Sequence, residues 1–303
     1  MVIKKGAVTW THIVNPSHAE LAALQQEYHI HPVILDELTQ PSARSKVEIY
    51  DHYMFIVYHL PIFDLGDRAS RKGEIDMLVT EQGVITVTYE DLEPIRVITE
   101  KIDTDPHYKE RALGKNSVRL LYDITEACLA YSLRQLRHIE EKIEYIRVRM
   151  FKEQEQDLVK IISYVKRDLL SYYLITRSQA SIFNSFNKVG PRFFGESSAI
   201  YFSDLEGDFL KVLQLCENYK ETIEAFESTN AQLLNIKMTK VMQRFSVLAF
   251  LTFPIMVFLA LFTIDTISRP IVGRTPYDFW ILAGIVVGAT AIMTAIFSRK
   301  GWL

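Results

Sequence analysis

The apolar positions of this chain change period along its length. Up to about residue 90 they come in short runs rich in β-branched and aromatic residues. Residues 7–14, 46–50, 53–61, 75–80 and 84–89 read as strands, because such side chains fit a pleated, half-buried surface. Turns fall at Asn15-Pro16-Ser17, Asp64-Leu65-Gly66-Asp67 and Glu81-Gln82-Gly83, where glycine and short polar side chains suit turn conformations. Helices interrupt the strands. Ser17 is placed to cap one that runs to Tyr28 with Leu21, Leu24 and Tyr28 on one face, and Pro32 opens a second that runs to Leu38. A third covers residues 93–103.

From about residue 116 the helical period takes over. Leu120, Leu121, Ile124, Leu129, Leu133, Leu136, Ile139, Ile143 and Ile146 recur at three- and four-residue steps. A return helix is expected over 155–188 after a turn at 153–157, with Gly190-Pro191 to Ser198 as the only clear break. From Ser203 nothing interrupts the pattern before about Thr263 except Pro254, which allows a mild bend. One continuous helix of roughly 90 Å is predicted, at 1.5 Å per residue.

The last stretch holds two uncharged apolar runs, residues 245–264 and 279–297. Each is about 20 residues long, enough to cross a hydrocarbon core of about 30 Å. Only Asp265 to Asp278 separate them, which predicts a transmembrane hairpin. Lys237, Lys240 and Arg244 precede the first run and Arg299 and Lys300 follow the second, against Arg269 and Arg274 in the loop. The bias puts both termini in the cytoplasm of a multi-pass protein of the plasma (inner) membrane. No apolar signal region opens the chain. Gly284 and Gly288, four apart, are expected to pack on the first membrane helix. The expected organisation is a cytoplasmic α/β domain over 1–112, a helical stalk over 113–240 and a two-helix transmembrane domain over 241–303.

Composition adds exclusions. A net charge of −3 gives no support for nucleic-acid binding. Cys128 and Cys216 form neither a disulfide nor a zinc pattern. No P-loop or nucleophile elbow is present, so no enzyme is expected. His29-x-His31, His12, His52 and His59 read as structural or surface residues.

The plan and several motifs resemble the CorA family of magnesium channels. Val241-Met242-Gln243-Arg244-Phe245-Ser246 is similar to the family's approach to its pore helix, and Pro254 lies where that helix has a proline. Arg299-Lys300-Gly301-Trp302-Leu303 resembles its basic end, and Arg44-Ser45-Lys46-Val47-Glu48-Ile49-Tyr50 its Arg-Pro-Lys-x-Glu-x-Tyr segment. The resemblance implies a homopentameric funnel in a lipid membrane. Its pore would be lined by the first transmembrane helix, with magnesium as transported and regulatory ion and no other cofactor. The chain departs at the family's Gly-Met-Asn signature, whose positions hold Thr263-Ile264-Asp265.

With that resemblance, Met242, Phe245, Ala249, Phe253, Met256, Ala260 and Thr263 read as a pore-lining stripe, with Met242 and Phe245 able to gate by dewetting. The other reading of the stripe is ordinary packing or lipid contact. Asp265 would present a ring of carboxylates that concentrates cations, or else pair with Arg269 or a neighbour's Arg274. Glu217, Glu221, Glu224 and Glu227 form either regulatory divalent-cation sites or a solvated helix face. Three functions remain open: a magnesium or related divalent-cation channel, a transporter of zinc or another metal, and a non-conducting membrane-anchored pentameric scaffold.

Overall fold

The computed structural model describes residues 2–150, 156–263 and 277–299. They divide into two compact units, Met1–Glu227 and Ser228–Leu303.

The first unit is built on a six-stranded sheet. Its strands are β1 (Val2–Lys5), β2 (Thr9–Val14), β3 (Lys46–Ile49), β4 (Met54–Asp64), β5 (Ala69–Val79) and β6 (Gly83–Thr88). The order across the sheet is β1-β2-β6-β5-β4-β3. Every pairing is antiparallel except β2 with β6, which run parallel with Thr9 opposite Gly83. The β4–β5 hairpin turns on Asp64, whose carboxylate accepts the Gly66 and Asp67 amides at 2.7 and 3.0 Å.

Successive strand residues face opposite sides, and helices cover both. On one side α1 (His18–Tyr28) and α2 (Pro32–Glu37) pack Leu21, Leu24, Ile34 and Leu38 against Ile13, Phe55, Val57, Leu78, Ile85 and Val87. Helix α1 begins with a full capping box. Ser17 Oγ accepts the Glu20 amide, and the Glu20 carboxylate accepts the Ser17 amide at 2.9 Å. His29 ends it with a left-handed backbone, φ 52°, and the His31 imidazole caps α2 by accepting the Val33 amide.

The other side carries α5 (Ser117–Met150), α6 (Gln156–Ser178) and α7 (Ala180–Phe194). Tyr58 of β4 meets Phe183 of α7 edge-on at 6.3 Å. Helices α3 (Glu93–Thr104) and α4 (Pro106–Leu113) lead into this layer.

The expected return helix over 155–188 is two helices instead. The chain breaks at Gln179, whose amide bonds back only three residues, to Thr176. The Gln179 side chain ties the end of α6 to the sheet: Oε1 accepts the His59 amide at 3.2 Å, and Nε2 donates to Ser45 Oγ at 2.9 Å as well as to the Ile175 carbonyl at 3.1 Å. Conversely, α7 runs straight through Gly190-Pro191 and stops at Gly195, whose φ of 93° favours glycine. Pro191 removes the hydrogen bond its residue would make to the Asn187 carbonyl, and Gly190 eases the strain because it lacks the Cβ that clashes ahead of a proline. The expected turn at 153–157 lies largely outside the described residues.

After a short 3-10 turn, α8 spans Ala199–Thr263 without interruption for 65 residues, and α9 covers Asp278–Arg299. Among the described residues α8 is long and apolar enough to cross a membrane, and the apolar stretch of α9, Ala283–Arg299, is shorter.

Candidate functional site

The second unit holds the candidate pore residues on α8. Within it, Val247 is only 2 % exposed and Leu251, Ile255 and Phe258 are half-buried. They recur at steps of four, four and three, so they form one helix face. On α9, Ala283, Val286, Thr290, Met293 and Phe297 are half-buried at the matching steps. The Phe250 and Phe297 rings lie 6.3 Å apart, centre to centre. These are the faces the two helices bury within the chain.

The stripe read from sequence lies on the other side of α8. Met242, Phe245, Ala249, Phe253, Met256 and Ala260 are all exposed, Phe245 to 64 %. At about 100° per residue the six fall within an arc of about 80°, and that arc is roughly opposite the buried face. A helix apolar all round but buried on one side only leaves a large apolar surface for lipid or further copies. Thr263 ends the described part of α8, and Ile264 and Asp265 lie outside the described residues, as do Arg269 and Arg274. Helical spacing together with the CorA resemblance picked out the stripe. It missed the Val247–Leu251–Ile255–Phe258 face, although the same 3.6-residue spacing carried the signal.

Gly284 and Gly288 do not pack as expected. A Cβ built on either meets nothing within 4 Å, and both are exposed on the side of α9 away from Ala283, Val286 and Thr290. Among the described residues, the small-residue stripe therefore makes no contact within the chain.

The four carboxylates of α8 belong to the first unit and are exposed. Glu227 takes a 2.6 Å ion pair from Lys166 of α6, which holds that ammonium above its ordinary pKa. Glu224 lies 3.9 Å from Lys220, and Glu217 accepts the Tyr173 hydroxyl at 3.4 Å. Glu217, Glu221 and Glu224 share a face at 3- and 4-residue steps, and Glu227 is turned toward α6. Among the described residues no group of three acidic, histidine or cysteine side chains is close enough to hold a metal ion.

A family profile described as "CorA-like Mg2+ transporter protein" matches residues 5–299. The chain belongs to that family. CorA-like proteins move ions and are not enzymes, so membership makes this a membrane protein of divalent-cation transport. The cobalt/magnesium transport protein CorA of Thermotoga maritima is 18 % identical over 297 residues, 97 % of this chain and 83 % of that protein. The putative metal ion transporter YfjQ of Bacillus subtilis is 20 % identical over 296 residues, 97 % of this chain and 89 % of that protein. The complete structure of the CorA magnesium transporter from Methanocaldococcus jannaschii superposes with a TM-score of 0.86 at 17 % identity, covering 100 % of this chain and 94 % of that one. The CorA-like fold thus extends over the α/β unit, the long helix and the C-terminal helices.

Proposed function

We propose that this CorA-like protein is a homopentameric channel for magnesium or a related divalent cation, with the α8 stripe lining its pore and both termini in the cytoplasm. The observation that carries the proposal is the exposure of Met242, Phe245, Ala249, Phe253, Met256 and Ala260 on the side of α8 opposite its buried face. Two membrane helices per chain cannot enclose a pore, so a conducting form needs several copies. An exposed apolar stripe opposite the buried face suits a central axis.

The chemistry of the stripe is apolar. It offers the ion no ligands, which suits passage of a cation that keeps its water, as magnesium does. Met242 and Phe245 would close the path by dewetting when the rings approach. Asp265 would set cation preference as a carboxylate ring at the opposite end, unless Arg269 or Arg274 neutralises it. Regulatory binding at Glu217, Glu221, Glu224 and Glu227 would have to compete with Lys166 and Lys220.

The names of the T. maritima and M. jannaschii relatives favour magnesium or cobalt. Purified protein in liposomes containing an ion-sensitive dye tests the proposal directly. Magnesium, cobalt, nickel and zinc are presented in turn, and native mass spectrometry gives the copy number. Entry of magnesium or cobalt into pentamer-bearing vesicles is the expected result. Zinc entry alone would support the metal-transporter alternative. No entry of any ion would leave the scaffold reading.

A further inference from the structure

Three acidic side chains converge beneath the loop joining α2 to β3. Glu74 and Asp76 occupy alternate positions of β5, so both point to the α1–α2 side of the sheet. Glu74 is 6 % exposed and Asp76 is completely buried. Glu37 approaches from α2.

Glu74 is richly supplied with donors. The Ser42 amide reaches both its oxygens at 2.8 and 2.9 Å, and His59 Nε2 lies 2.9 Å from Oε2. His59 Nε2 also lies 3.2 Å from the Ser42 carbonyl. Both neighbours of that nitrogen accept only, so Nε2 carries the proton. The Ser45 hydroxyl faces Nδ1 at 3.0 Å.

Asp76 is supplied on one side alone. Tyr89 donates to Oδ2 at 2.7 Å, and Oδ1 is buried with no hydrogen-bond partner among the described residues. The other groups facing the pair are Glu37 from α2 and Lys46 and Glu48 from β3. Lys46 is taken up by both of these, at 2.8 and 3.0 Å. Lys72, on the same face of β5, reaches the Ala43 carbonyl at 3.1 Å, and among the described residues no cation forms an ion pair with Asp76. A bare carboxylate there would be buried and beside a second negative charge, which disfavours the ionised form.

We propose that Asp76 holds a proton on Oδ1 and donates it to Glu74, so that the two carboxyl groups share one proton and form a pH-sensing site inside the cytoplasmic α/β unit. Burial and the Glu74 charge both push the Asp76 pKa well above the ordinary carboxylate value. The site has a wired exit: Glu74 bonds to His59, His59 to Ser45, and Ser45 to Gln179 at the α6–α7 break. Losing the shared proton adds a negative charge beside His59, at the root of that chain.

The sign of the linkage follows. The native state keeps a proton that the unfolded chain sheds near pH 4. Its contribution to stability is full below that pH and is lost as pH rises toward the raised native pKa.

Infrared spectroscopy of the full chain in lipid nanodiscs, with 13C-labelled aspartate, reads the site. A protonated-carboxyl band that shifts with the label is expected at neutral pH and should be lost on alkaline titration. Asp76→Asn supplies an amide N–H to Glu74 in place of the acid, so it should abolish the band and flatten the fall of thermal midpoint with rising pH. Tyr89→Phe removes the donor that favours the charged form and should move the band's titration midpoint to higher pH. Absence of the band in the unsubstituted protein at neutral pH overturns the proposal without any variant. Its survival in Asp76→Asn does so too.

Discussion

Gly190→Ala is a one-methyl test of how α7 is seated against α8. An added Cβ would lie 2.2, 2.6 and 2.7 Å from three atoms of the Phe202 ring, far inside van der Waals contact. The ring has nowhere to go. Phe202 is 1 % exposed and wedged by Phe186 at 5.3 Å and Phe194 at 6.2 Å. Alanine in a helix normally gains about 1 kcal/mol over glycine. Here that gain is offset, because Pro191 follows and penalises a Cβ on the preceding helical residue. The overpacking cost of about 1–3 kcal/mol then stands alone. For a unit of this size, about 2–4 °C per kcal/mol gives a fall in melting temperature of roughly 2–12 °C. Thermal unfolding of the detergent-solubilised full chain, followed by circular dichroism, measures it. Phe202→Leu in the Gly190→Ala background shortens the obstructing side chain and should recover part of the loss. An unchanged or higher melting temperature for Gly190→Ala would refute the contact.

Ser17→Ala removes half of the α1 capping box and should cost about 1 kcal/mol, read as a fall of about 2–4 °C in the same melt. Phe245→Ser and Met242→Ser place hydroxyls on the exposed stripe and should raise divalent-cation flux into liposomes by easing hydration; flux unchanged in both would remove those residues from the pore. Asp265→Asn should lower flux at low ion concentration with less effect at saturation, since a carboxylate ring concentrates counter-ions. If Arg269 neutralises that carboxylate, Arg269→Ala should raise divalent-cation binding instead.

Where local chemistry decides structure, the sequence is readable. Ser17 with Glu20 marks the start of α1, and the absence of any breaker from Ser203 onward marks α8 as one helix, which begins four residues earlier at Ala199. The same reasoning misses β1, four residues carrying Lys4 and Lys5, because an edge strand held only by β2 needs no apolar alternation. It misses α4, although Asp105 before Pro106 is a recognisable cap that accepts the His107 and Tyr108 amides. The first half of β5 is hidden by Arg71 and Lys72, polar because they extend the hairpin toward solvent, and by Gly73, which is buried where a Cβ would meet Ile62. The break at Gln179 could not be read from periodicity, because two of its side-chain partners, His59 and Ser45, lie 120 and 134 residues away. Glu74 and Asp76 were the readable clue to the buried acid pair, two charges at alternate positions in a strand that is otherwise apolar inward. On α8 the stripe was legible as periodicity, but which side the chain itself covers depends on α9.

The parallel pairing of β2 with β6 imposes an order of events on biosynthesis. Thr9 and Gly83 become neighbours only after the residues between them have been made, about 4–15 s at 5–20 residues per second. The β4–β5 hairpin has no such delay, since its partners are consecutive in the chain. The nascent chain therefore carries β1 and β2 as an unclosed ribbon with one bare edge until β6 arrives. An unpaired strand edge attracts other chains. The apolar runs of α8 and α9 leave the ribosome later still, about 8–30 s after β6 at the same rate. That interval lets the sheet close before the first membrane-destined segment is exposed, so slowing codons placed between β6 and residue 245 should raise the yield of inserted protein.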